Sequence, residues 1–321
     1  MRFFALSLRF ALPLSLCIVT ACAPAAPPPE PAPPPKPAAS AAPLAVDASD
    51  VPSASAQAEA APAAPTACGA LGCLLFDKPE QAFAKVLDSK PLVVAVGEAH
   101  ALKGSEGIAT STTRFRDQLL PLMKADASDL VIELMLTDGK CRKTEKKVAQ
   151  VQKPVTNKQA GQNQNEFVKL GDKSKSLGIR PHVLRPKCED YQEVLAAGPD
   201  GIIQMLTMIG ELSADLLLRI LERNKRDGAN KLVLAYGGAM HNDLAPAKGR
   251  ERWSFGPKLQ AETGGRYVEI DLIVPEFIKD TDSWRKLSWY SHFDPSKNPD
   301  KVTLFNPAPG SYVLIFAATK R

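Results

Sequence analysis

Four side chains of this 321-residue chain have the types and spacing for proton chemistry: Glu98, His100, Glu133 and His241. Glu98 and His100 close residues 91–100, PLVVAVGEAH. His241 closes residues 231–241, KLVLAYGGAMH, where glycine again stands three residues before histidine (Gly97 to His100, Gly238 to His241). Glu133 ends a third apolar run, DLVIE, at 129–133. A histidine titrates near neutral pH, and a carboxylate beside it can poise it. Such a pair can deprotonate a water for attack on an ester or amide. The same set can instead hold a divalent metal, with His100, His241 and Glu133 as ligands, and so lower the pKa of a bound water. One histidine at a strand end is more often a local hydrogen-bonding residue. Two in a shared motif argue for a site. Glu133 at the end of an apolar run would be costly to bury alone, so a partner is expected.

These residues need elements that carry them to one place. The apolar runs at 92–96, 129–134, 179–184, 231–236 and 267–273, with another at 312–318, read as strands. Helical patterns separate them: 79–87, 108–125 with Phe115, Leu119, Leu122 and Met123 at helical spacing, 200–226, and 257–263. In the longest, Asp200 reads as the N-cap and Gly228 as the stop, with an apolar stripe of Ile203, Leu206, Ile209, Leu217 and Ile220. Met205 and Met208 read as core filler rather than soft ligands. The alternation predicts an α/β fold, a mostly parallel central sheet with helices on both faces. Parallel strands end on one side, where open α/β sheets bind ligands. Glycine before each motif is expected to let the chain turn sharply there. His182, inside a strand, reads as structural, and the aromatic segment 284–293 with His292 reads as packing. Arg114 and Arg116 are open to two readings, contact with an anionic substrate or a solvated face. No phosphate-binding loop is visible.

GEAH after a strand, VIELM ending a second and GAMHN after a later one resemble the superfamily of ChaN-like haem-binding lipoproteins, Tiki and TraB proteins and erythromycin esterases. The resemblance covers residues 92–273. Glu98 and His100 match its first motif, Glu133 the central glutamate and His241 the second motif. It implies ligand or haem binding in the ChaN branch, water activation for ester cleavage in the esterase branch, and metal-dependent proteolysis in the Tiki branch. The haem ligands of the ChaN branch match no position here. The resemblance thus implies a ChaN-like pocket at the C-terminal strand edge, with a His/Glu hydrolase as the alternative.

The amino terminus carries an address. Residues 1–21 have Arg2, Arg9 and an apolar stretch at 10–19, the pattern of a secretory signal. Val19-Thr20-Ala21-Cys22 resembles the lipobox of bacterial lipoproteins, which implies cleavage before Cys22 and lipid on its sulfur; Ala23 implies the outer membrane. Residues 22–67 are almost wholly Ala, Pro and Ser, a disordered stalk that reaches ~100 Å at about 3 Å per residue. Residues 68–321 are then the folded domain, and a hydrophobic content of 45% supports a full core. The net charge of +5 falls to about +3 once Arg2 and Arg9 leave with the signal. That balance, export, and few aromatics beside the basic residues Lys140, Arg142, Lys143, Lys146 and Lys147 argue against nucleic acid. The segment reads as a solvated face, or as weakly attracted to anionic lipid. Of six cysteines, Cys68, Cys73, Cys141 and Cys188 remain in an oxidising compartment. Three pairings are possible, and a four-cysteine zinc site is poorly spaced. Proximity favours Cys68–Cys73. Cys141–Cys188 follows if the strands preceding these cysteines are parallel neighbours. Cys22→Ser is expected to block processing or to release the protein from the membrane fraction; a variant that is processed and fractionates like the parent contradicts the lipoprotein reading.

Overall fold

The computed structural model describes residues 64–136 and 139–319, all within one compact unit. The signal, Cys22 and nearly all of the expected stalk lie outside the described residues. In chain order the strands are β1 (Thr66–Ala67), β2 (Leu74–Phe76), β3 (Val93–Glu98), β4 (Ala127–Met135), β5 (Arg180–Leu184), β6 (Leu232–Gly238), β7 (Tyr267–Ile273), β8 (Val302–Ala308) and β9 (Ser311–Ile315). The helices are α1 (Pro79–Leu87), α2 (Ser111–Arg114), α3 (Arg142–Thr156), α4 (Asn163–Ser176), α5 (Cys188–Ala196), α6 (Gly201–Arg226), α7 (Gly256–Glu262) and α8 (Asp282–Arg285). All nine strands form one sheet in the order β1-β2-β8-β9-β7-β3-β6-β4-β5. From β9 to β5 every pairing is parallel. β8, β2 and β1 extend the other edge antiparallel. The fold is α/β with a mostly parallel sheet.

The central strands are apolar throughout because both faces are covered. Successive side chains of a strand point to opposite faces. Val94 and Val96 pack with Leu130, Ile132 and Leu234 on one face, under α1, α4 and Phe115. Val93 and Ala95 pack with Val131, Val233 and Ala235 on the other, under α5, α6 and α7. A fully buried Val or Leu contributes roughly 1.5–3 kcal/mol relative to exposure, so these two layers carry the fold. The unit holds a complete core of its own, the property of a domain able to fold alone. Trp289, flanked by Trp284 and Phe293 and stacked on Phe305, forms a smaller cluster beside Cys73, the packing role expected of that segment. His292 is exposed at its margin.

Two helices differ from expectation. The span 108–125 is not one α-helix. Thr110 caps α2 by accepting from the Thr113 amide, then the chain widens to a π turn at Phe115–Leu119 and tightens to a 3-10 turn at Leu120–Met123. Pro121 explains the change: it lacks an amide hydrogen, and its ring clashes with the carbonyl four residues back in an α-helix. Phe115, Leu119 and Met123 are still buried, whereas Leu122 is exposed. In α6 the buried stripe is Met205, Met208, Ile209, Leu217 and Ile220; Ile203 faces out and Leu206 is half-buried. Gly228, at φ 66°, follows its end as expected, while the Asp200 side chain makes no cap hydrogen bond.

Both disulfides join the cysteines paired above, Cys68 with Cys73 and Cys141 with Cys188. β4 and β5 are parallel neighbours, so the chain leaving each emerges at the same edge. At the opposite end of β4, Asp129 is fully buried and bound by His182 at 2.7 Å, Arg223 of α6 at 2.7 Å and Arg180 at 3.1 Å. Burial opposes its charge, but hydrogen bonds from His182, Ser128 and Arg223, with the Arg223 charge, outweigh it and hold the carboxyl well below the usual range. His182 is therefore a structural partner. Asp129→Asn should cost about 3 kcal/mol in urea unfolding, because it strands cations that share one buried acceptor. A loss under about 1 kcal/mol would mean that solvent already serves those cations.

Candidate functional site

The two glycine motifs lie side by side. β3 and β6 are parallel neighbours in a register that sets Gly97 against Gly237 and Glu98 against Gly238. β4 flanks β6 on the other side, with Ile132 opposite Tyr236, so Glu133 arrives level with the glycines. Glu98, His100, Glu133 and His241 therefore meet at the C-terminal edge of three adjacent strands.

Glu98 is 4% exposed and accepts from three groups. His100 Nδ1 lies 2.8 Å from Oε1, Thr112 Oγ1 donates to Oε2 at 2.7 Å, and the Tyr236 hydroxyl donates to Oε2 at 2.6 Å. Burial alone would raise this carboxyl; the His100 contact, with Tyr236 and Thr112 behind it, holds it below its ordinary value. For His100, burial disfavours the imidazolium, but its hydrogen bond to Glu98 and the charges of Glu98 and Glu133 outweigh burial and raise it to about 9. The two groups form an imidazolium–carboxylate pair at neutral pH. The stabilisation linked to His100 is full below its ordinary value of 6.5 and is lost as pH rises through about 9. That linked to Glu98 is present above 4.5 and is lost as pH falls through its lowered value.

His241 is fixed differently. Its Nδ1 meets the Trp253 carbonyl at 2.7 Å. A carbonyl only accepts, so Nδ1 carries the hydrogen and the neutral ring presents the Nε2 lone pair. Nε2 lies 3.8 Å from Glu133 Oε1, too far for a direct hydrogen bond. Glu133 finds its expected partner in the backbone: Oε2 accepts from the Gly238 amide at 2.6 Å. The Trp253 carbonyl reaches His241 because its segment lies against α6 at Gly210, where a Cβ would come within 2.6 Å of that same oxygen.

The glycines act through space rather than backbone angle, which corrects the expectation of a special turn. Neither Gly97, Gly237 nor Gly238 has a positive φ. A Cβ on Gly97 would overlap Asp271 Oδ1 and come within 2.7 Å of Ala239 Cα and 2.8 Å of Asn242 Nδ2. On Gly237 it would lie 2.9 Å from Glu133 Cβ. On Gly238 it would stand 3.4 Å from His100 Nε2, 3.5 Å from Glu133 Oε2 and 3.7 Å from His241 Cδ2. The distances of 3.4 and 3.7 Å from one point cap the separation of the two imidazoles at about 7 Å. Beside it, Glu133, Ser213, Gly238, His241 and Asn242 help wall a cavity of about 10 Å³, room for about one water. His100 stands outside that wall, against the open side of Gly238.

Other expected residues stand elsewhere. Arg114 donates to the Ala317 carbonyl and Thr319 and lies over the Phe316 ring; Arg116 pairs with Asp117. Neither serves the site. Among the described residues no three His, Cys, Asp or Glu side chains are grouped to hold a metal ion. Thr112, Tyr236 and the Trp253 carbonyl were not foreseen. Only Tyr236 left a signal, since a hydroxyl at the end of a buried strand needs a partner. Below the site Asp271 is pushed well up by burial and by Asp243 and Glu269, and Glu269 is raised to about 7, chiefly by burial.

No family model and no curated protein matches the chain. Among solved structures it is similar to the type III effector HopBA1, with 11% identity and a TM-score of 0.37 over 72% of this chain and 90% of that one, a likeness too slight to carry an inference.

The cleft yields a paired prediction. Gly97→Ala should lower stability by about 2 kcal/mol or more, because backbone must move. Gly238→Ala, with φ −67° and ψ 137° open to any residue, should change the melting temperature little while placing a methyl among His100, Glu133 and His241. Equal destabilisation by the two would contradict this geometry.

Proposed function

We propose that the domain is a ChaN-like member of the superfamily named above, held at the bacterial envelope by lipid on Cys22, and that its site hydrolyses an ester or amide. One observation carries this reading: a carboxylate-clamped imidazolium and an imidazole with a free Nε2 lie within about 7 Å on either side of Gly238. A water between His241 Nε2 and Glu133 Oε1 attacks the substrate carbonyl carbon. Its proton passes to His241 as the new C–O bond forms. The carbonyl electron pair moves onto oxygen, where the His100 Nε2–H donates to the oxyanion. When the intermediate collapses, the bond to the leaving group breaks and that group takes the proton from His241. General base catalysis contributes typically 10²–10⁴-fold, and one oxyanion donor about 10²–10³-fold.

The metal set His100, His241 and Glu133 fits poorly, since His100 would have to give up a proton held to about 9.

A panel of activated esters and peptide amides tests the proposal. Hydrolysis should fall at least 10²-fold in Gly238→Ala, with melting temperature nearly unchanged, and in His241→Ala, which also loses about 1–3 kcal/mol because the Trp253 carbonyl is left without its donor. The rate should also fall as pH rises through about 9, where His100 loses its proton. Absence of hydrolysis, with a Soret band at one or two equivalents of added haem, would replace this reading with haem binding.

A further inference from the structure

The helix α3 lies outside the site and carries an unusual distribution of charge. Arg142, Lys143, Lys146, Lys147 and Lys153 are all exposed, and none is paired with a carboxylate among the described residues. At about 100° per residue these five occupy about 140° of the helix circumference, and only the uncharged Gln150 and Pro154 share that arc. Val148, the one buried residue of α3, points the opposite way, into the core. The face is therefore purely cationic and directed outward, and it runs about 16 Å along the axis.

The arrangement does not serve the helix. Arg142 with Lys146, and Lys143 with Lys147, are like charges four residues apart, which repel. Arg142 and Lys143 also sit in the first turn, at the positive end of the helix dipole. Cys141, the residue before α3, is tied to Cys188, so this end is anchored to the folded unit. An external anion removes both penalties. A flat, outward stripe of this length has no concavity to enclose a small molecule, and α3 offers no aromatic side chain on which a base would stack. It matches a plane of anionic headgroups.

We propose that the outward face of α3 docks on an anionic phospholipid surface. Each basic side chain at such a surface adds to the attraction, which is screened by salt. The contact is separate from the lipid expected on Cys22 and would set which way the catalytic edge faces.

Sedimentation of residues 60–321, a fragment that holds the complete core and lacks Cys22, tests this with phosphatidylcholine vesicles and with vesicles doped with phosphatidylglycerol. The fragment should bind only the anionic vesicles, and less as salt rises. Replacing Arg142, Lys143, Lys146 and Lys147 together by glutamine should weaken binding roughly a thousandfold at low salt. The matching exchange with Lys and Arg interchanged should keep it, as should glutamine at Lys169, Lys173 and Lys175 of α4. Equal binding to neutral vesicles, binding unaffected by the quadruple glutamine variant, or capture by soluble polyphosphate without vesicle binding would each overturn the proposal.

Discussion

The buried Glu98 carboxylate is the constraint on which the site depends. A charge at 4% exposure is costly, and here it is retained because three donors from three other segments converge on it. His100 comes from the loop after β3, Thr112 from α2 and Tyr236 from β6. Two of the donors are held by aromatic packing: Tyr236 lies against Phe115 and Phe167, and His100 meets Phe167 edge-on. The charge thus fixes the orientation of the first histidine and its protonation state together. Phe115, the first residue of the irregular stretch 115–123, packs against Tyr236 with ring centroids 4.9 Å apart.

A second constraint is the closeness of backbone at the sheet edge. Gly97 and Gly237 pair in register, and both sides of that pair are occupied, by Asp271 and Asn242 at one and by Glu133 at the other. Side chains at these positions would separate β3, β6 and the turn Ala239–His241. Gly210 plays the same part for α6, letting the Trp253 carbonyl reach His241 Nδ1. Packing and chemistry meet in these glycines, since the same absence of Cβ atoms closes the core and opens the cleft.

Much of this was legible in the sequence because it rests on local pattern. Apolar runs ending in glycine and then histidine locate β3 and β6, closeness in sequence pairs Cys68 with Cys73, and parallel neighbouring strands pair Cys141 with Cys188. What was not legible depends on distant partners or on backbone. Thr112 is one of several threonines and serines in a row, and nothing local marks it as a donor to Glu98. The Trp253 carbonyl carries no residue identity at all. β8 was not among the expected strands; it ends in Asn306, Pro307 and Ala308, and the sheet tolerates the proline where the register with β9 slips. In α6 Ile203 of the expected stripe faces out while Met205 and Met208 are buried, and Gly210, a residue with no side chain to mark it, is the point where the helix seats against Trp253.

The central claim is that Glu98 makes His100 a cation across the neutral range while His241 presents a free nitrogen to the cleft. The most direct measurement is an NMR titration of the imidazole resonances, assigned by comparison with His100→Gln and His241→Gln. The account predicts that His100 keeps its proton beyond pH 8 and titrates near 9, with Nδ1 and Nε2 both protonated below that point. A His100 that titrates near the ordinary 6.5 would contradict it.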